Sequence, residues 1–108
     1  QENGVAMAMH QAGTPVCFMA NVHCAAATEN FLALEHHSAD TDWWESMVKM
    51  TGSQPMITKG FANVPLDSPG LGIELNEDVV KERFLRNQPM WEPTDQWNNK
   101  NSNDRLWS

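Results

Sequence analysis

Two short, unbroken apolar runs, GVAMAM at 4–9 and FLAL at 31–34, constrain this chain more than any other feature. Neither alternates polar with apolar residues, and each is too short for a helix. Each therefore reads as a strand buried on both faces, the kind found in parallel sheets. A helix signal stands between them. Thr14 is a good N-cap, Pro15 suits the first helical position, and Ala20 and Ala25 to Ala27 let a helix lie close to a sheet. The pattern predicts a helix from 15 through VCFMANVHCAAAT, closed by Glu29-Asn30. Strand, helix and strand in this order form a βαβ unit, which implies an α/β fold with a parallel sheet.

One such unit cannot cover both faces of its own sheet, so more strands and helices are expected, most naturally upstream. The chain has 108 residues and begins at Gln1 rather than Met, so it is expected to be cut from something longer. Hydrophobic residues at 41% and charged residues at 19% are globular proportions. No apolar run approaches the ~20 residues that span a bilayer. No charged segment and apolar leader precede the first strand, so no signal peptide is read here. The net charge is −7, and the seven basic residues are scattered without a stripe, which argues against nucleic acid and anionic membranes as partners. On one helix, Cys17 and Cys24 would be roughly 10 Å apart, beyond the reach of a disulfide. Two reduced, packed thiols in a reducing compartment are expected, consistent with a cytoplasmic protein.

Downstream the character changes. WWESMVKM (43–50) suits one or two helical turns capped by Thr41 or Asp42, and MITKGFANV (56–64) reads as one extended segment containing Gly60. Pro65 to Gly72 is rich in turn formers, GIEL (72–75) is a short strand candidate, and Asn76 is placed to cap a helix over NEDVVKERFLR. That helix has acids at its start and bases near its end, as the helix dipole favours. The polar tail from Asn87 carries Trp91, Trp97 and Trp107, which are expected to wrap onto a folded body; a disordered tail, favoured by NNKNSND at 98–104, is the alternative.

Both predicted parallel strands end in ionisable residues, His10 on the first and Glu35 on the second. In α/β folds the carboxyl ends of strands are where chemistry is placed. Neighbouring parallel strands lie about 4.8 Å apart, so His10 and Glu35 can face one pocket as an acid/base pair. Polar strand ends are also common for solubility alone. His36 and His37 are adjacent and would point to opposite sides, and His23 lies mid-helix, so a metal site among these histidines is not expected. Trp43 and Trp44 could shape a ligand pocket but are read first as loop packing, and Met7, Met9 and Met19 as core filler. Pro69-Gly70-Leu71-Gly72 precedes a strand rather than a helix and is not read as a phosphate cradle.

GVAMAMHQAGTPV, NVHCAAATENFLALEHHS and SPGLGIELNEDVV together resemble the end of enolase-superfamily proteins over about residues 4–86. Within that superfamily the chain resembles the mandelate racemase/muconate lactonizing enzyme family, and within it the galactonate dehydratase-like sugar-acid dehydratases. The resemblance implies a modified TIM (β/α) barrel with an α+β capping domain built from both chain ends. It implies that 4–9 and 31–35 are the last two barrel strands. Residues 1–54 would then be the C-terminal part of the barrel, and 55–108 a return segment to the capping domain with the C-terminal tail. It implies a Mg²⁺-dependent reaction through a metal-stabilised enediolate, with a sugar acid as substrate. The metal ligands, a second-strand base and an Asp partner for the histidine are not in this chain. By motif match, His10 takes the acid/base role of the penultimate strand. Glu35 takes the last strand's role of hydrogen-bonding the substrate carboxylate or the enediolate.

The expectation is thus the C-terminal part of a sugar-acid dehydratase, inactive alone, whose parent is a homo-oligomer. Rival expectations are a fragment of a racemase, epimerase or cycloisomerase of the same superfamily, a non-catalytic module binding through its tryptophan-bearing tail, and a small α/β domain whose His and Glu are incidental.

Overall fold

The computed structural model describes residues 2–83 and Asp95, so the expectations for the tryptophan-bearing tail lie outside the described residues. Its elements are β1 (Met7–Met9), α1 (Pro15–Ala26), β2 (Phe31–Leu34), a single 3₁₀ turn (Glu45–Met47), β3 (Val48–Met50), β4 (Ile57–Thr58), β5 (Phe61–Ala62), β6 (Ile73–Leu75) and α2 (Glu77–Arg83).

The predicted βαβ unit is present. β1 and β2 pair in parallel, with Ala8 opposite Ala33 and Met9 opposite Leu34. α1 starts where Thr14 and Pro15 predict: the Thr14 hydroxyl accepts the Cys17 N–H at 3.4 Å, and Pro15 occupies the first turn. The helix ends at Ala26, two residues short of the predicted Thr28, which instead closes the last turn by donating its hydroxyl to the Cys24 carbonyl at 2.7 Å. Pro15, Phe18, Met19 and Val22, spaced three and four apart, form its buried face. With Trp44, Val48 and Met56, the last three make the core, where each large side chain contributes about 1.5–3 kcal/mol.

Burial of the parallel strands departs from expectation. Most of β1 and β2 is exposed, with Leu32 69% exposed, where sequence predicts strands covered on both faces. Among the described residues this sheet has two strands, and α1 packs against β2. Cys17 and Cys24 are free, as expected, but exposed rather than packed.

The second half is built on two antiparallel pairs. The predicted helical turns over 43–50 shrink to the 3₁₀ turn, because Val48–Met50 instead pairs with Ile73–Leu75. In that pair Lys49 stands opposite Glu74, a favourable cross-strand charge pair. The predicted single extended segment at 56–64 folds back on itself as the hairpin β4–β5. Lys59 and Gly60, at φ 51° and 82°, form its two-residue turn, whose positive angles match the strand twist. Gly72, at φ 72°, lets the chain pass under Pro65; a Cβ there would lie 2.2 Å from the proline Cγ. Asn76 does not cap through its side chain as predicted: its amide donates to the Ser46 carbonyl at 2.9 Å, while its backbone carbonyl accepts the Val80 N–H. Among the described residues no helix is long and apolar enough to cross a membrane.

Candidate active site

The β1–β2 register fixes the site. With Met9 opposite Leu34, the next residues, His10 and Glu35, stand side by side on one face, and Gln11 and His36 stand side by side on the other. The ladder continues past the strand ends: Glu35 N–H donates to the Met9 carbonyl at 2.9 Å and His37 N–H to the Gln11 carbonyl at 3.3 Å. The open face carries the ionisable pair. The His10 Nδ1 lies 2.5 Å from Glu35 Oε2, with the histidine side chain 80% exposed. A contact this short means that Nδ1 and the carboxylate share one proton, which leaves Nε2 as the ring nitrogen not engaged by Glu35.

Glu35 Oε2 accepts a second bond, from the Gln11 N–H at 3.0 Å. In a regular parallel ladder that N–H would donate to a carbonyl of the neighbouring strand; here the carboxylate takes it. This backbone bond is the main reason the Glu35 carboxyl titrates below its usual 4.5. Partial burial opposes it, and a hydrogen bond and charge from His10, with a smaller charge effect from His37, add to the lowering.

The opposite face anchors the site to the core. The His36 ring packs on Phe18 and Trp44, with centroids 5.4 Å and 4.9 Å away, and its Nδ1 has no hydrogen-bond partner. Trp44 is buried, meets Phe18 edge-on, and donates from Nε1 to the Gly13 carbonyl at 2.9 Å. Trp43 is more exposed, with the Arg83 guanidinium 5.3 Å above its ring. Met19 is fully buried core filler, whereas Met7 is 46% exposed. His23 lies away from the pair and bonds the Leu71 carbonyl at 3.3 Å, tying α1 to the 65–72 turns.

Sequence reasoning therefore places His10 and Glu35 together, as the structure does, but it passes over Gln11. The signal available for Gln11 was strand alternation: the residue after an outward His10 at a strand end must turn toward α1.

The magnesium ion implied by the resemblance finds no seat in these residues. Among the described residues no group of three or more His, Cys, Asp or Glu side chains is placed to hold a metal. Glu35 Oε2 is already engaged by two donors. A cavity of about 430 Å³ lies between α1, β2 and the β4–β5 hairpin, lined by Val22, Phe31, Leu34 and Phe61 among others. It is apolar, and neither His10 nor Glu35 lines it.

The sequence model of a family described as enolase C-terminal domain-like matches residues 1–79. The D-xylonate dehydratase of Haloferax volcanii is 34% identical over 88 residues, which cover 82% of this chain and 20% of that protein. The solved structure of a mandelate racemase/muconate lactonizing enzyme-like protein from Rubrobacter xylanophilus superposes with a TM-score of 0.72 at 32% identity, covering 82% of this chain and 22% of the other. The chain thus spans about a fifth of the length of each of these relatives. With a parallel βαβ unit whose strand ends carry His10 and Glu35, and a family match across most of its length, the chain belongs to the enolase superfamily, in the enolase C-terminal domain-like family.

Proposed function

We propose that this chain is the C-terminal part of a sugar-acid dehydratase and that His10 is its general acid/base. One observation carries the reading: His10 Nδ1 sits 2.5 Å from Glu35 Oε2 at adjoining carboxyl ends of parallel strands, which leaves Nε2 exposed and able to move a proton. Dehydration removes a hydrogen from the carbon next to the carboxylate and a hydroxyl from the carbon beyond it. The hydroxyl leaves as water with the Nε2 proton of a doubly protonated His10, which returns to the neutral imidazole, and the carbon-bound hydrogen leaves as a proton to a base outside this chain. Glu35 takes the last strand's role, with the carboxylate oxygen not engaged by His10 and Gln11 left for the substrate carboxylate or the enediolate. The Asp partner that the resemblance gives the histidine lies outside this chain. The Mg²⁺ dependence expected of such an enzyme would rest on ligands outside the described residues, and the roles of His10 and Glu35 are argued without it.

In the same reading residues 1–54 belong to a TIM-type barrel and 55–108 return to a capping domain. The whole enzyme is a cytoplasmic homo-oligomer acting on a sugar acid. The dehydratase relative supports dehydration over racemisation. The likeness to a mandelate racemase/muconate lactonizing enzyme-like protein keeps racemisation or cycloisomerisation as the second reading.

The test is turnover of a panel of aldonic acids, D-xylonate included, by the longer protein carrying this chain. The expected product is a 2-keto-3-deoxy acid, formed with loss of one water. The 108-residue chain alone is expected to form none, and product formation by it, or only an epimerised acid from the longer protein, would sink the proposal.

A further inference from the structure

The ladder between β1 and β2 does not stop at His10 and Glu35. Glu35 and His37 both turn their N–H groups toward β1, to the carbonyls of Met9 and Gln11 at 2.9 Å and 3.3 Å. In a parallel ladder, residues two positions apart that bond the same neighbouring strand carry their side chains on one face. His36, between them, keeps the alternation: its ring turns inward and packs on Phe18 and Trp44. His37 therefore shares the open face with His10 and Glu35. It is exposed, and its ring nitrogens make no hydrogen bond among the described residues. Charge on its ring reaches the Glu35 carboxylate and favours the ionised form.

Without His37 this face lacks a donor for an acid. Glu35 is left to meet the substrate carboxylate, yet an ionised carboxylate only accepts hydrogen bonds, and a second anion beside it meets a like charge. The N–H of Gln11 is already taken by Glu35 Oε2. In the proposed reaction, Nε2 of His10 faces the leaving hydroxyl. His37 stands two residues beyond Glu35, about 6.6 Å along the strand, so a carboxylate seated between the two side chains can touch both. An imidazole N–H at that point gives the anion a charge-assisted hydrogen bond.

We propose that His37 is a substrate-binding residue: on the face it shares with His10 and Glu35, its ring donates a hydrogen bond to the substrate carboxylate. The proposal rests on the reading of this face as a sugar-acid site and deepens it by naming a group that holds the acid end. His37 moves no proton in the reaction.

The test is a binding cycle in the longer protein carrying this chain, with Mg²⁺ present in every arm. The probes are 3-deoxy-D-xylonate, which lacks the hydroxyl that dehydration removes, and its uncharged carboxamide. Calorimetry gives the dissociation constants for the wild type, His37→Phe and His37→Gln. Phenylalanine keeps a ring without a donor, and glutamine keeps an N–H. The acid is expected to bind His37→Phe about tenfold more weakly than wild type, the scale of one hydrogen bond to a charged group, and the carboxamide no more than about threefold more weakly. His37→Gln is expected to recover part of the loss. Equal weakening of acid and carboxamide, the mark of a merely structural role, overturns the proposal. So does unchanged affinity for the acid, or a wild type that binds neither probe. Should His37→Phe fail to fold, His37→Ala carries the same cycle. Turnover of D-xylonate is read separately. A longer enzyme that only epimerises acids overturns the dehydratase reading and leaves this cycle intact, whereas a dehydratase whose His37 variants bind the acid as wild type does overturns this proposal alone.

Discussion

Trp44 joins the turn beneath the candidate pair to the core, and Trp44→Phe isolates that junction. The phenyl ring keeps an aromatic partner for Phe18, which Trp44 meets edge-on at 82° with centroids 5.5 Å apart. The Nε1 donor to the Gly13 carbonyl is lost. A buried carbonyl left without its partner costs 1–3 kcal/mol, and this one is partly buried, so about 1 kcal/mol is the appropriate share. Trp44 is 4% exposed, so the missing part of the indole, about two methylene equivalents at ~0.8 kcal/mol each, adds roughly 1.5 kcal/mol. The sum, about 2.5 kcal/mol, corresponds to a shift of roughly 60-fold in the unfolding equilibrium, at 1.4 kcal/mol per tenfold. Trp43→Phe is the internal control. Its ring is partly exposed and its Arg83 contact is of the exposed cation–π kind, worth about 0.5–1 kcal/mol at most. The assay is urea unfolding followed by the far-UV ellipticity of α1, with amide exchange at Gly13 as the local readout. A loss below 0.5 kcal/mol for Trp44→Phe, or equal losses for the two variants, would refute the claim that Trp44 anchors this turn.

Three further outcomes follow from single contacts. Gly72→Ala puts a Cβ 2.2 Å from the Pro65 ring at φ 72° and should cost at least 2 kcal/mol, 1–2 of it from the left-handed backbone alone; Pro65→Ala in the same chain should restore part of the loss in a thermal melt. Thr14→Ala removes a cap whose bond to Cys17 is long, at 3.4 Å, so about 0.5 kcal/mol, the low end of capping losses, is expected in the same melt. The Glu35 carboxyl sits below its ordinary value because of the Gln11 N–H and then His10, so the charged form is favoured by folding. Its contribution is present above pH ~4.5 and fades as pH falls through the lower, folded-state value. Urea midpoints measured from pH 7 to 3 should fall less steeply in Glu35→Gln than in wild type below pH 4.5, and parallel curves would contradict the assignment.

The pairing of His10 with Glu35 was legible because two short apolar runs of the parallel type carry their own register, and that register puts the residues just past their ends side by side. α1 was legible at its start, where Thr14 and Pro15 act locally, and less so at its end, where alanines give no stop signal. The strand at Val48–Met50 was hidden because its partner, Ile73–Leu75, is distant in sequence, and pairing between distant segments leaves no local mark. The hairpin turn was missed because Lys59 stands where Asn or Asp usually advertises such a turn. The exposure of β1 and β2 could not be read at all, since the apolar pattern of a strand says that it is to be covered, not by which part of a protein. Gln11 belongs to no motif; its bond to Glu35 exists only once the two strand ends have met.

His10 is the group on which the proposed proton transfer turns. The direct measurement is dehydration of a sugar acid by the longer enzyme carrying this chain, with wild type and His10→Asn assayed side by side and metal binding measured on both. Turnover is expected to disappear in His10→Asn while metal binding is unchanged, because the metal ligands that the resemblance implies lie outside this chain. Turnover retained at the wild-type rate in His10→Asn would contradict that role.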